Sequence, residues 1–145
     1  MVDPSTLPRP LREFYELWLR KRGGRRFPAR SDYLFEDLQP WLEELHLVEV
    51  LPNDFRYKVF ATKSARRLGR ELTGKLLSEC GLSWMADDAG VDYRLCVTTG
   101  EPNFADRTAR YVDGRLYSWK RLIVPLGTTD DAVDHLMISM EYHLI

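Results

Sequence analysis

Length, composition and charge are those of one folded domain. The chain has 145 residues, 44% hydrophobic and 12% aromatic, which is a globular rather than a disordered composition. A chain of this length buries about two thirds of its unfolded surface in a single core. The net charge of −1 disfavours binding to nucleic acid. No apolar run is long enough to cross a membrane.

The N-terminus and the cysteines indicate the compartment. The first ten residues contain three prolines and no basic segment followed by an apolar one, so no secretory signal is expected. Only two cysteines occur, Cys80 and Cys96, and their spacing does not suggest a metal site. We therefore expect a cytoplasmic protein with reduced thiols.

An apolar stripe near the N-terminus predicts an amphipathic helix. Leu11, Phe14, Tyr15 and Trp18 recur at helical spacing, and the helix is expected to end near Arg22. The stripe could pack on the sheet of its own domain or on the same helix of a second subunit, and the two can coexist. Because a short helix rarely leaves so much aromatic area in solvent, we expect a homodimer with these four residues at its interface.

The residues after this helix carry the one dense basic run, from Lys21 to Arg30. Guanidinium groups suit phosphate or nucleotide binding. Basic residues at a helix C-terminus also complement its dipole, and the balanced overall charge favours this structural explanation. A second helical segment should follow, split in two by Pro40. Residues 1–44 are thus predicted to be a helical extension.

The stretch from 45 to 74 predicts a hairpin and a short helix. Two apolar segments flank Pro52, Asn53 and Asp54, and the second alternates apolar and basic residues as a half-buried strand does. A basic helix should then end at Gly69, where glycine adopts the left-handed conformation without a Cβ penalty.

The remaining sequence predicts a longer helix and three strands. The helix should end at Gly100, with Val91, Leu95 and the Tyr93/Val97 pair facing inward. Strands are expected over 103–111, 115–126 and 133–143, the first two joined by a tight turn at 112–114. The order of elements predicts an antiparallel α+β sheet rather than a parallel nucleotide-binding one.

Four segments of the chain, together with this order of elements, resemble a bacterial family of small stand-alone PAS-domain proteins. The segments are RRFPARSD at 25–32, FRYKV at 55–59, GRELTG at 69–74 and RLIVPL at 121–126. The resemblance implies that residues 45–145 form a PAS-like five-stranded antiparallel sheet with helices on one face. It also implies a sensory or protein-interaction module without its own output domain, which signals through contacts with an unknown partner protein and often dimerises through an N-terminal helix.

In this fold a ligand can bind between the sheet and the long middle helix. The resemblance and the strand parity give six candidate lining residues, which could equally be ordinary core residues. We expect any cavity among them to be small, apolar and dry, suited to a hydrophobic molecule or to nothing. The candidates are Tyr57, Trp84, Tyr93, Cys96, Trp119 and Met140.

The sequence lacks the motifs that hold cofactors in related sensors. Flavin photoreceptors of this fold carry an Asn-Cys-Arg-Phe type motif, which is absent around both cysteines, and no histidine lies between 83 and 100 to hold a haem. His46, His135 and His143 are not spaced as a metal site. We therefore expect a colourless protein with no haem, flavin or metal.

Catalytic motifs of the common hydrolases, metalloproteases and nucleotide-binding enzymes are also missing from the sequence. We therefore expect no enzymatic activity. The alternative is a small curved-sheet α+β enzyme or small-molecule binding protein, with a pocket around Asp92, Tyr93, His135 or His143. A carboxylate beside a histidine in the cavity would favour that alternative, and an apolar, nearly filled core would favour the PAS-type module.

Overall fold

The computed structural model describes residues 2–81, 83–110 and 114–145, with side chains described outside 83–87. The predicted turn at 112–114 therefore lies largely outside the described residues. Short 3-10 turns occur at Pro4–Thr6, Arg30–Asp32, Gln39–Glu44 and Leu77–Glu79. The helices are α1 (Arg9–Arg22), α2 (Phe35–Leu38), α3 (Thr62–Leu68) and α4 (Ser83–Thr99). The strands are β1 (Leu45–Val50), β2 (Phe55–Val59), β3 (Asn103–Arg110), β4 (Leu116–Leu126) and β5 (His135–Leu144).

The strands form one antiparallel sheet in the order β2-β1-β5-β4-β3. The last strand lies at the centre, because β5 pairs with β1 on one side and with β4 on the other. The predicted α+β class with a five-stranded antiparallel sheet is confirmed.

Local sequence signals account for the boundaries of several elements. The break between β1 and β2 closes through a hydrogen bond from the Leu51 N–H to the Asp54 carbonyl. α3 ends at Gly69, whose φ of +76° is the left-handed conformation that glycine adopts freely. The predicted split at Pro40 is also present, since α2 ends at Leu38 and a separate 3-10 turn follows.

The sheet carries a hydrophobic core on each face. The inner face, which α3 and α4 cover, includes Tyr57, Ile123 and Ile138, whereas the outer face includes Leu122, Val124 and Met137. Alternate residues of β4 and β5 point to opposite faces, as the strand period requires. α1 packs on the outer face against β4 and β5. Residues on both sides of position 44 thus share one core.

The structure corrects the assignment of the α1 stripe to a dimer interface. Leu11, Phe14, Tyr15 and Trp18 are all buried against the sheet of their own chain. The Trp18 indole N–H also donates to the Pro125 carbonyl at 2.8 Å. These side chains therefore occupy the first of the two alternatives, and they are not free to meet a second copy. Dimerisation itself stays a prediction.

The inward face of α4 also differs from the prediction. Val91 and Leu95 are 57% and 49% exposed, whereas Asp92, Tyr93 and Cys96 are buried. The apolar pattern misled because one of the inward positions is an aspartate, which finds two arginine partners on the sheet. A helix face chosen by hydrophobicity alone would place that aspartate in solvent.

The basic run serves the structure of the turn that follows α1. Lys21 pairs with Asp37 at 2.7 Å, and Arg25 pairs with Asp32. Arg26 donates to the Thr99 carbonyl at the end of α4 at 3.3 Å. These contacts agree with the structural explanation of the run.

Replacing Phe14 by alanine should lower the free energy of unfolding by about 3–5 kcal/mol, because its ring is 1% exposed in the core between α1 and the sheet. Urea unfolding of the purified variant measures this loss. Phe35→Ala is the matched control: that ring is 66% exposed, and its loss should change stability by no more than about 0.5 kcal/mol. Equal effects of the two changes would contradict the packing of α1.

Candidate functional site

A partly enclosed cavity of about 50 Å³ lies between the inner face of the sheet and the helices α3 and α4. The strands β1, β2, β4 and β5, the helices α3 and α4, and a residue between β2 and α3 contribute lining residues. These are His46, Tyr57, Phe60, Ser64, Leu68, Asp88, Ala89, Tyr93, Trp119, Arg121, Met140 and Tyr142.

Strand register places four of these side chains side by side. Trp119 and Arg121 are two residues apart on β4, so both point to the inner face. On β5, Tyr142 is the register partner of Trp119, and Met140 is the partner of Arg121. His46 reaches the same face from β1.

Four of the six predicted lining residues do border the cavity: Tyr57, Tyr93, Trp119 and Met140. Cys96 is fully buried in the inner-face core but does not line the cavity. The side chain of Trp84 lies outside the described residues.

A buried ion cluster joins α4 to the sheet. The Asp92 carboxylate accepts a hydrogen bond from Arg121 through the oxygen that also pairs with Arg107, 3.1 Å away. The side chains of Asp92 and Arg121 are only 10% and 6% exposed. Both guanidinium groups lie beside the Trp119 ring, with 5.0 Å from Arg121 and 5.8 Å from Arg107 to its centroid. The cluster combines one carboxylate with two cations, so it carries an excess positive charge.

The two tyrosines of the cavity form a hydrogen-bonded pair. The hydroxyl groups of Tyr57 and Tyr93 are 2.8 Å apart, and both side chains are buried. Burial raises the pKa of each phenol above its usual value. Both hydroxyls therefore stay protonated at neutral pH, and both tyrosines line the cavity.

His46 is a neutral hydrogen-bond acceptor. Its Nδ1 accepts from the Ala61 N–H at 2.9 Å, and its ring stacks on Phe60. Burial, with a smaller effect of the Arg121 charge, lowers the pKa of His46 from 6.5 to about 3. A general base works best with a pKa near the operating pH, so this imidazole is poorly suited to proton abstraction.

The cavity is small, as expected, but its lining is not wholly apolar. His46, Ser64, Asp88 and Arg121 give it polar groups, although Phe60 and Met140 supply apolar surface. A carboxylate and a histidine thus border one cavity, but Asp88 is exposed, while the Nδ1 of His46 is used by the backbone. These polar groups do not form an acid-base pair.

The structure does not bring together the residues of the pocket that the enzyme or binding-protein alternative predicted. His135 borders a surface groove with Ser31 and Tyr33, away from the cavity that holds Tyr93. Its Nδ1 is 2.8 Å from Asp134. His143 lies 2.9 Å from Glu141 on the exposed end of β5. Within the described part of the chain, no group of three potential metal ligands occurs.

Known structures share the fold. The Rhodobacter sphaeroides LOV protein matches with a TM-score of 0.50 and 18% identity over 74% of this chain, which spans 65% of that protein. A Light-Oxygen-Voltage domain studied with a flavin analogue matches at 0.55 and 16%, over 79% of this chain and 88% of the other. A sensory box sensor histidine kinase from Vibrio cholerae matches at 0.56 and 16%, over 80% and 94%.

No protein-family model and no curated protein matches the chain. The structural matches therefore define the fold alone, which is that of the PAS and LOV sensory domains. None of the described helices is long and apolar enough to span a membrane.

The residues present do not fit the flavin of a LOV domain. The cavity of about 50 Å³ is far smaller than the 300–1,000 Å³ of typical organic-ligand pockets. Burial raises the pKa of the Cys80 and Cys96 thiols, to about 12 for Cys96, so neither is a ready nucleophile. Neither cysteine lines the cavity.

Sequence reasoning missed two polar residues of the site, His46 and Arg121, and named Asp92 only for the alternative pocket. Arg121 did carry a signal, because it has the same strand parity as Trp119 and Ile123, both on the inner face. The burial of Asp92 against the sheet had no local signal, since it depends on Arg107 of β3 and Arg121 of β4.

Trp119→Ala should cost about 3–5 kcal/mol of unfolding free energy, because the ring is 4% exposed. Leu95→Ala should change it by no more than about 0.5 kcal/mol, since Leu95 faces solvent. Denaturant unfolding of both variants checks the register of β4 and the face of α4 together. A large loss at Leu95 would restore the helix face expected from the apolar pattern.

His46 should make stability depend on pH. Its pKa is lower in the folded than in the unfolded state, so the unfolded chain binds the proton first as the pH falls below 6.5. This contribution is complete above pH 6.5 and is lost toward pH 3, at up to about 1.4 kcal/mol per pH unit. His46→Asn keeps an acceptor for the Ala61 N–H but cannot titrate. Its unfolding free energy should fall less steeply between pH 6.5 and 5.

His143→Asn is the control, because that histidine is largely exposed and should leave the slope of the wild type nearly unchanged. Identical slopes for wild type and His46→Asn would show that His46 is not held neutral by the fold.

Proposed function

We propose that this chain is a sensory PAS module that binds a small molecule beneath α4 and passes the bound state to a partner protein. The observation that supports the proposal best is the partly enclosed cavity with a polar wall at the helix-sheet interface. The sensory proteins that share the fold support the general class.

Binding explains the cavity better than catalysis does. The imidazole of His46 is held neutral and its Nδ1 is occupied, while the carboxylate of Asp92 is engaged by two arginines. Neither buried thiol borders the cavity. Neither His46 nor Asp92 is therefore free to act as a general base, so we propose that the protein is not an enzyme.

α4 would transmit the effect of a ligand in the cavity to the protein surface. Ala89 and Tyr93 border the cavity from the inner side of this helix, and Val91 and Leu95 are exposed on its outer side. A ligand that moves or stiffens the helix would therefore change a surface that another protein can contact. We propose a cytoplasmic setting, in line with two free cysteines, and a homodimer formed through a surface other than the α1 stripe.

Filling the cavity from α4 should abolish ligand retention. Ala89→Leu adds bulk inside the cavity, whereas Val91→Leu adds similar bulk on the solvent side of the same helix. Native mass spectrometry of protein expressed in its own host should show a small-molecule adduct on the wild type and on Val91→Leu, and none on Ala89→Leu. Far-UV circular dichroism confirms that all three are folded.

Hydrogen exchange extends the test to signalling. Ala89→Leu should differ in the exchange of α4 amides from the ligand-bound wild type, and Val91→Leu should not. An adduct that persists in Ala89→Leu, or a wild type without any adduct, would contradict the proposal.

A further inference from the structure

Two buried hydrogen-bond donors at the cavity have no acceptor in the described part of the protein. They are the indole N–H of Trp119 and the Nε–H of Arg121. The Trp119 residue is 4% exposed and the Arg121 side chain 6% exposed, so water does not satisfy them from the surface. Buried donors almost always have a partner, and an exception calls for an explanation.

The other described indoles follow the rule. Trp18 donates to the Pro125 carbonyl and Trp41 to the Pro10 carbonyl, each at 2.8 Å. Trp119 is therefore an exception within one protein, and it is the one of these three that borders the cavity. Arg121 also borders the cavity, two residues after Trp119 on the same face of β4.

The charge around the two donors favours an anion. The buried Asp92 carboxylate is shared between the buried Arg121 and Arg107, whose side chain is 37% exposed, so the two arginines together carry one positive charge more than the carboxylate offsets. Asp88 also borders the cavity, but it is exposed, so solvent screens its charge. Arg121 uses its Nη2 for Asp92, and its Nε–H remains free for another acceptor.

We infer that the ligand of this cavity is a small organic carboxylate whose oxygens accept from the Trp119 indole N–H and the Arg121 Nε–H. The inference rests on the proposed function and names the chemical class of its ligand. A carboxylate has two acceptor oxygens for two separate donors, and its charge strengthens both hydrogen bonds. Phe60, Leu68 and Met140 provide apolar surface for a short hydrocarbon part. The volume of about 50 Å³ limits that part to a few carbon atoms.

Nuclear magnetic resonance of the indole N–H groups tests this directly. Sodium acetate is titrated into the ¹⁵N-labelled full chain, with sodium chloride at equal ionic strength as the blank. The Trp119 signal should shift downfield and saturate as its N–H gains an acceptor. The Trp18 and Trp41 signals should stay in place, because their N–H groups are already bonded. Tryptophan-to-phenylalanine variants assign each signal.

Variants test the donors themselves by calorimetry with acetate. Trp119→Phe keeps an aromatic ring but removes the N–H, and it should raise the Kd at least about tenfold, as expected for a hydrogen bond to a charged group. Trp41→Phe removes an indole N–H that is bonded to Pro10, and its Kd should match the wild type. Arg121→Lys keeps the charge but loses the Nε–H, and should weaken binding as well.

Acetamide and xenon separate the failure of this inference from the failure of the proposed function. Acetamide is a neutral molecule of similar size, and binding as tight as that of acetate would overturn the requirement for an anion. Xenon reports an accessible apolar cavity. If xenon enters but acetate does not, the cavity remains a binding site and the carboxylate is wrong. If neither enters, both the carboxylate and the proposed ligand-binding function are overturned.

Discussion

The buried ion cluster of Asp92, Arg107 and Arg121 is the interaction on which the rest of the site depends. It ties α4 to β3 and β4, so it decides which face of the helix meets the sheet. Breaking such a cluster by removing one partner is far more costly than its net contribution suggests, because a charge is left buried and uncompensated. The same cluster gives the cavity its positive wall. One set of charges thus positions the helix and sets the chemistry beneath it.

The outer face of the sheet is covered by a filled core, whereas the inner face borders a small cavity. α1 places an aromatic stripe on the outer face, where the Trp18 indole also bonds to the backbone of β4. The outer core therefore holds the strands in register without help from a second subunit. The inner face is less completely filled, and its gap lies under the helix that carries the buried aspartate. The filled core and the proposed ligand site thus lie on opposite faces of one sheet.

A small cavity with fixed polar groups places narrow limits on what it can bind. The two tyrosines are hydrogen-bonded to each other, and the neutral histidine accepts from the backbone. These three residues therefore form part of the wall without contributing charge. The free donors lie together on β4, beside the cations. The site is thus polarised across its width, which favours a ligand with one charged and one apolar end. This arrangement is unlike a flavin pocket, although the fold is shared with LOV domains.

The sequence by itself determined those features that depend on neighbouring residues. The hairpin break after β1, the end of α3 at Gly69 and the inward parity of Trp119 on β4 follow from local backbone preferences and the strand period, and the structure has all three. Tertiary structure decided the rest. α1 had two possible partner surfaces, and only the assembled sheet shows which one it covers. Arg121 shares the inward parity of Trp119, but a charged side chain such as that of Arg121 or Asp92 is expected in solvent unless it is paired. Both are buried because the fold packs α4 on β3 and β4, where Asp92 meets Arg107 and Arg121, and pairing of this kind has no local signature.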